Sequence, residues 1–105
     1  MKYLIVAYTI NKTRKLTYDS DKDAANIIKH GLSLADALLV FDATDKLTLK
    51  SQKGNEDRLM DVAMVAVAGV VLVLVYVLRE PNELRAISLR RASKQERKLY
   101  AENYH

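Results

Sequence analysis

The sequence predicts a strand-rich α+β domain, and three patterns carry that prediction. Residues 62–78 are seventeen consecutive non-polar residues, eight of them valine, with Ala68-Gly69 near the middle. Because valine favours strands and glycine suits a tight turn, we expect two antiparallel strands, at 57–67 and 70–79. Helix-capping patterns occur early in the chain and again near its C-terminus. The expected order is therefore early helices, an antiparallel meander and a final helix.

The N-terminal part carries two strand patterns and then a helix pattern. Residues 3–10 are apolar and rich in β-branched and aromatic residues, and 16–18 is a second short strand. Asp19 or Ser20 caps the first helix, and Gly31 is placed to end it in the left-handed conformation. Its apolar residues at helical spacing lie on one face. They are Ala24, Ile27 and Ile28.

A second helix is expected from Ser33, with Asp36 at the spacing of a capping box. Its apolar face is formed by Leu34, Ala37, Leu38 and Phe41. A short strand follows at 46–50, where Leu47 and Leu49 alternate with polar residues.

The C-terminal part continues with a strand and a helix. Simple alternation along a strand at 84–90 separates its side chains into two sets. One face is expected to carry Leu84, Ala86, Ser88 and Arg90, and the other Arg85, Ile87 and Leu89. Ser93 and Glu96 then match a full capping box, which predicts the start of the last helix.

Composition excludes several kinds of site. The chain has 105 residues, half of them hydrophobic and 29% charged, which is ordinary for one globular domain. It has no cysteine, which excludes disulfides, a thiolate nucleophile and cysteine-ligated metals, and fits a reducing compartment. The only histidines are His30 and His105. We therefore expect no metal and no cofactor, and the reducing compartment agrees with a cytoplasmic location.

Residues 62–78 leave one alternative open. A membrane helix needs about 20 apolar residues, with about 17 the lower limit, so length alone permits a span. The valine density, the central Ala68-Gly69 and the absence of flanking interfacial aromatics favour strands instead. A small membrane-tethered protein, with 62–78 as its span, therefore stays open as a functional hypothesis.

The net charge of +4 is concentrated near the C-terminus. Residues 79–98 carry seven basic and three acidic side chains, whereas the ten basic and ten acidic side chains elsewhere cancel. Such an asymmetry points to a polyanion or to an acidic protein as partner. A solvated basic helix explains the charge equally well.

Four segments, in this order, resemble the BrnT-type toxins. The family's N-terminal signature, an aromatic–Asp pair before a helix ending in Lys-His-Gly and then a Val-Phe, is similar to LTYDSDKDAANIIKHGLSLADALLVF (16–41). Its Gly-x-Glu-x-Arg entry to a strand resembles GNEDR (54–58), and its central strand resembles VLVLVYVLR (71–79). Its most distinctive block, Arg-x-Ile-Ser-x-Arg-Arg-Ala followed by Glu and Tyr, resembles RAISLRRASKQERKLY (85–100). The resemblance departs at the apolar turn Ala68-Gly69-Val70, which is usually polar and basic, and at Leu89, which is usually small.

The resemblance implies a RelE-like fold, with an antiparallel sheet of about four strands, two N-terminal helices and one C-terminal helix. It implies a single toxin domain over 1–105, with 1–15 an extension outside the resemblance. It further implies an endoribonuclease toxin of a type II toxin–antitoxin system, with RNA as substrate and no membrane. The expected partner is a BrnA-like ribbon–helix–helix antitoxin, in a dimer or a toxin–antitoxin hetero-oligomer. A non-catalytic module of the same fold, which binds nucleic acid or the antitoxin, is the alternative.

RNA cleavage by the internal 2′-hydroxyl needs a base, cations that stabilise the phosphorane, and an acid, but no metal. Arginine suits the cationic role because its planar fork pairs with two phosphate oxygens. Consecutive arginines at a strand end should point to opposite faces, with Arg90 on the face of Ser88 and Arg91 nearer the last helix. The arginine candidates are Arg58, Arg79, Arg85, Arg90 and Arg91.

Three residues are candidates for the base: Lys29, His30 and Glu56. The candidates for substrate binding are Arg85, Ser88, Lys94 and Tyr100, the last by stacking on a base. Each has a structural alternative. Lys29 and His30 also suit the negative end of a helix dipole, and Tyr100 also suits packing. Glu96 is expected to cap its helix, and Arg79 and Arg85 also suit surface ion pairs with Glu80 and Glu83.

Overall fold

A computed structural model describes residues 3–5, 15–51, 57–65 and 69–104. Its sheet has six strands in the order β1-β3-β4-β5-β6-β2. Four long strands form the centre, β3 (Lys46–Ser51), β4 (Arg58–Val65), β5 (Val70–Arg79) and β6 (Glu83–Arg91), and each pairs antiparallel with the next. Two three-residue strands form the edges, β1 (Tyr3–Ile5) antiparallel to β3 and β2 (Lys15–Thr17) parallel to β6. The α+β prediction is confirmed. The two edge strands overlap the strands predicted at 3–10 and 16–18, and they add to the four that the resemblance implied.

The valine-rich segment forms the hairpin that the sequence predicts. Val62 pairs with Val73 and Val65 with Val70 across the antiparallel strands β4 and β5. Gly69 has φ +65°, a left-handed conformation that favours glycine. Residues 66–68, the rest of the expected turn, lie outside the described residues, as do 6–10 of the first predicted strand.

No single helix in the described part of the chain has the length and apolarity that a membrane span requires. The bent pair Ser20–His30 and Leu34–Phe41 meets the criteria of length and composition only when its two parts are taken together.

Helix α1 (Ser20–His30) begins and ends as predicted, but it turns the unexpected face inward. The side chain of Asp19 accepts hydrogen bonds from the backbone N–H groups of Asp21 and Lys22, and Gly31 has φ +70°. The apolar face formed by Ala24, Ile27 and Ile28 does not meet the core, because all three side chains are exposed, Ile28 to 87%. The residue that α1 buries is Asn26. The helix lies beside β6, where β2 is too short to cover the edge, and a polar side chain is needed to satisfy the backbone there.

The second predicted helix is divided into a 3₁₀ turn (Leu34–Asp36), capped by Ser33, and a short helix α2 (Leu38–Phe41). Leu34, Ala37 and Phe41 are buried as expected, whereas Leu38 is 41% exposed. The change from 3₁₀ to α-helical winding rotates the face that meets the sheet, so that Val40 takes the buried place expected for Leu38.

Two core clusters lie on opposite faces of the sheet. The first packs the 3₁₀ turn and α2 on strands β4 to β6 and includes Leu34, Phe41, Leu74, Tyr76, Leu84 and Leu89. The second includes Leu47, Leu49, Met60, Val62, Val73, Ala92 and Tyr100, the last from helix α3 (Lys94–Asn103). The predicted capping box of α3 is present, because the side chains of Ser93 and Glu96 each accept a backbone hydrogen bond from the other residue.

A β-bulge changes the side-chain pattern of β6. Val75 pairs with Ser88 but the next residue of β5, Tyr76, pairs with Ala86, so Ile87 is an extra residue on β6. Alternation is therefore interrupted, and the predicted division of 84–90 into two faces is wrong. Arg85 lies on the same face as Ser88 and Arg90, and Leu89 lies with Leu84 and Ala86 in the first cluster.

Candidate functional site

Four polar side chains project from one face of the sheet, on two strands that flank β5. They are Arg58 on β4 and Arg85, Ser88 and Arg90 on β6, and we call this set the arginine face. Arg58 is two residues from Met60, which packs in the second cluster, so both point to the same face. The buried β6 residues Leu84, Ala86 and Leu89 belong to the first cluster. Arg85, Ser88 and Arg90 therefore project from the opposite face of the sheet.

Arg58 and Arg85 lie at the end of the sheet away from the β4–β5 turn. Arg85 pairs with Val77, and Tyr76 pairs with Leu59, the residue after Arg58, so one strand separates the two arginines. Neighbouring strands lie about 4.8 Å apart, which places the two arginine backbones about 10 Å apart. This separation allows two long side chains to contact the same phosphate or adjacent ones.

The guanidinium groups of this end differ in their bonding. Arg58 is half-buried, and its buried Nε has no hydrogen-bond partner among the described residues. A buried donor without a partner is rare and costly, and an acceptor from a ligand would satisfy it. Arg85 forms a 3.7 Å ion pair with Glu83, whose carboxylate also accepts a hydrogen bond from Thr17. The predicted alternative of an Arg85–Glu83 pair is thus present, at the outer limit of ion-pair distance.

Arg90 is bound to helix α3 by a two-point ion pair. Its Nη1 and Nη2 donate to Oε1 and Oε2 of Glu96 at 2.7 and 2.9 Å. Oε1 also accepts from the backbone N–H of Ser93 at 2.8 Å. The hydrogen bond from Arg90 is the main reason that the pKa of Glu96 falls to about 2, against the opposing effect of burial. Glu96 is therefore both a helix cap and the anchor of Arg90.

His30 lies at the Arg90 end of β6, at the C-terminus of α1. Burial, and then repulsion by Lys29 and Arg90, lower the pKa of His30 below its ordinary value. A lowered pKa favours the neutral form of the imidazole, which can accept a proton. Lys29 is exposed beside it. The third base candidate, Glu56, lies outside the described residues.

The remaining predicted site residues lie apart from the arginine face or at its margin. Arg91 is exposed and, as expected, points opposite to Arg90; Arg90, however, contacts α3, where Arg91 was expected to be nearer. Arg79 is exposed at the end of β5, opposite Glu83, and Lys94 is exposed on the first turn of α3. The ring of Tyr100 is buried in the second cluster, and its hydroxyl donates to the carbonyl of Asp45 at 2.9 Å. The structure therefore supports its packing alternative.

A family model described as "Ribonuclease toxin, BrnT, of type II toxin-antitoxin system" matches residues 18–96. The chain belongs to this family. The crystal structure of the Brucella abortus ribonuclease toxin BrnT is similar, with 26% identity and a TM-score of 0.61, over 78% of this chain and 100% of that one. The comparison with curated proteins found no match.

On and beside the arginine face, this member of the BrnT family presents cations, a hydroxyl and an imidazole. No group of three or more His, Asp or Glu side chains that could hold a metal ion is found in the described part of the chain. Arginines on a sheet face can bind a phosphate and stabilise charge that develops on it.

Sequence analysis missed two groups that shape this BrnT-family structure. Asn26 docks α1 beside β6, and no helical pattern marks an asparagine for burial. Asp61 is fully buried on the other face, where it accepts hydrogen bonds from Lys46, Thr48 and Tyr76 at 2.7, 2.7 and 3.0 Å. Burial raises the pKa of Asp61, opposed by Lys46 and its other donors. A charged residue within an apolar run was the available signal.

Proposed function

We propose that this chain is an endoribonuclease that cleaves RNA on the arginine face without a metal ion, in the cytoplasm. One observation carries the proposal: three arginines and a serine project from a single sheet face, and one arginine keeps a buried N–H without a hydrogen-bond partner in the described residues. Family membership supports the reaction class.

The reaction requires no group beyond those of the chain and the RNA. The 2′-oxygen attacks the adjacent phosphorus, its proton passes to a base, and the bond to the 5′-oxygen breaks as that oxygen gains a proton. The products are a 2′,3′-cyclic phosphate and a 5′-hydroxyl. Arg58 and Arg85 hold the phosphate oxygens, and the fork of Arg90 stabilises the phosphorane. His30 is the proposed base, because it lies near Arg90 and its lowered pKa favours the neutral imidazole that accepts a proton.

We further propose that the antitoxin partner is a BrnA-like ribbon–helix–helix protein that covers the basic segment 79–100. A net positive surface attracts an acidic partner, and covering it blocks access by RNA. Hydrogen exchange of the complex tests this proposal. Protection of 79–100 is expected, and unchanged exchange in this segment would contradict it.

A second candidate function is a non-catalytic module that binds RNA or the antitoxin. The observation that favours it is the Arg90–Glu96 pair, which occupies two nitrogens of the guanidinium expected to contact the phosphorane. An arginine bound to a carboxylate in this way still contributes positive charge to RNA binding, but it offers fewer donors to a transition state.

Cleavage of a defined RNA in excess EDTA separates the two functions. The wild type is expected to cleave it, and Arg58→Lys and Arg85→Lys, which keep the charge but lose the fork, should each cleave roughly 10²–10³ times more slowly. RNA binding should weaken much less. Lys22→Ala removes an exposed charge on α1 and is the control.

The outcomes are distinct. Binding without cleavage by the wild type supports the non-catalytic module, and loss of cleavage in EDTA alone contradicts metal independence. Full activity in a folded Arg58→Ala/Arg85→Ala variant, with folding checked by circular dichroism, removes this end of the arginine face from the mechanism.

A further inference from the structure

An apolar groove lies at the end of the sheet near the β4–β5 turn, away from Arg58 and Arg85. Met64 lines two adjoining hollows, of about 440 and 230 Å³. We call them together the hairpin groove. Its apolar lining comes from α2 and the loop after it, from strands β4 and β5, and from the connection between β6 and α3. It includes Leu39, Ala43, Met64, Val65, Val71 and Ala92.

Large apolar side chains of this groove are open to solvent. Leu39 is 52% exposed and Met64 47%, and Leu38, beside Leu39 on α2, is 41% exposed. Single exposed apolar residues are common, but neighbouring ones that line a concavity are typical of a surface that binds a partner. The winding change before α2 turns Leu38 outward into the neighbouring hollow, which extends the apolar surface beside the groove.

Side chains of opposite charge lie at the two ends of the groove. Arg91 and Arg97 line the hollow at its β6 end. Asp36 and Asp42 line a neighbouring hollow around Leu38 and Leu39 at its α2 end. A partner that lies along the groove therefore meets positive charge at one end and negative charge at the other.

We propose that the hairpin groove binds an amphipathic segment of the antitoxin, a proposal that rests on the antitoxin partnership of the proposed function. The apolar stripe of this segment contacts Leu39 and Met64. Its acidic residues lie at Arg91 and Arg97, and its basic residues lie at Asp36 and Asp42. This charge complementarity fixes the direction of the segment and distinguishes it from a purely acidic one. None of these side chains belongs to the proposed RNA-cleaving set Arg58, Arg85, Arg90 and His30, so substitutions in the groove test partner binding separately from cleavage.

The test is the affinity of the 105-residue chain for the protein encoded by the neighbouring reading frame, measured by titration calorimetry. Leu39→Asp and Met64→Asp place a charge in the groove from two different elements, so misfolding of one variant leaves the other informative. Each is expected to weaken binding at least about 30-fold. Ile28→Asp is the matched control, since Ile28 is 87% exposed on α1 outside the groove, and its affinity should stay within about threefold.

Reversing a charge at one end of the groove tests the direction in which the partner segment lies. Arg97→Glu should weaken binding roughly 10-fold at low salt and less at high salt, because exposed charges are screened. Restored affinity on pairing Arg97→Glu with a lysine in the partner's acidic part would support the orientation.

Three outcomes would overturn the inference. In the first, Ile28→Asp abolishes binding while the groove variants bind normally, which would assign the partner to α1. In the second, all variants bind the partner as tightly as the wild type does. In the third, the toxin alone forms a dimer that Leu39→Asp dissociates while the antitoxin affinity is unchanged, which would make a second copy the occupant. RNA cleavage by the free toxin is assayed separately: a wild type that binds through the groove but cleaves no RNA contradicts the proposed function and leaves this inference intact.

Discussion

The side-chain amide of Asn26 pairs with the backbone of Leu89 as a neighbouring strand would. Its Nδ2 donates to the Leu89 carbonyl at 2.8 Å, and its Oδ1 accepts from the Leu89 N–H at 3.2 Å. The same Nδ2 donates to the carbonyl of Leu32 at 2.7 Å. One amide thereby satisfies the edge of β6 and ties α1 and the loop after it to the sheet.

Replacing this amide by a carboxylate should be strongly destabilising. Asn26→Asp loses both N–H donors and places negative charge against two carbonyl oxygens, for an expected loss of about 2–4 kcal/mol in the free energy of unfolding. Urea denaturation measures it. Asn103→Asp, on the exposed end of α3, is the control and should change stability by less than about 0.5 kcal/mol. Equal effects would mean that Asn26 does not support the docking of α1.

The stability of the protein should depend on the ionisation of Glu96 in acid. Its pKa is about 2 in the folded protein and near its ordinary value of 4.5 when unfolded. The stabilisation is therefore fully present above about pH 4.5 and is lost as pH falls toward 2, by on the order of 2–3 kcal/mol. Urea midpoints between pH 5 and 2 should fall more steeply for the wild type than for Glu96→Gln. Parallel curves would contradict the assignment.

The buried ion pair of Asp61 should be far more sensitive to truncation than an exposed one. Lys46 lies 2.7 Å from Asp61, with side chains 12% and 0% exposed, so Asp61→Ala leaves a largely buried charge without its partner. The expected loss is about 3–5 kcal/mol in the free energy of unfolding. Asp57→Ala, which removes a 3.9 Å pair whose Asp57 side chain is 92% exposed, should cost less than about 1 kcal/mol. Similar losses in the two variants would show that Asp61 is replaceable.

The two consecutive arginines should differ in their effect on RNA cleavage. Arg90→Lys removes the fork on the arginine face, and we expect cleavage to slow roughly 10²–10³-fold with RNA binding less affected. Arg91→Lys, on the opposite face, should slow it less than about threefold. Single-turnover cleavage of a defined RNA measures both rates. A larger effect at Arg91 than at Arg90 would place the reacting phosphate on the other face of the sheet.

Local chemistry in the sequence predicted the element boundaries well. Asp19, Gly31 and the Ser93–Glu96 box set helix ends through contacts within a few residues, and the valine-rich hairpin follows from propensity. Helical periodicity shows that Ala24, Ile27 and Ile28 share a face, but not whether the sheet meets that face. The inward face was decided instead by the uncovered edge of β6, which is a contact between distant segments.

The grouping of the arginines could not be predicted from alternation. A single extra residue at Ile87 changes the face of every side chain on one side of it, and such a bulge is set by pairing with β5 rather than by β6 alone. Arg58 and Ser88 were candidates from the sequence, but their meeting with Arg85 on one face depends on this register.

Because one carboxylate both begins α3 and holds Arg90, formation of the last helix and ordering of that arginine are a single cooperative event. Fraying of the first turn of α3 gives the Arg90 side chain more freedom to move. Conversely, the ion pair that immobilises this side chain lowers the nucleation cost of α3, a ten-residue helix that is marginal by itself. Ser93→Ala, which lies outside the strands and the arginine face, should therefore broaden the rotamer distribution of Arg90. Side-chain nuclear relaxation of the guanidinium would detect this effect at a distance from the substituted atom.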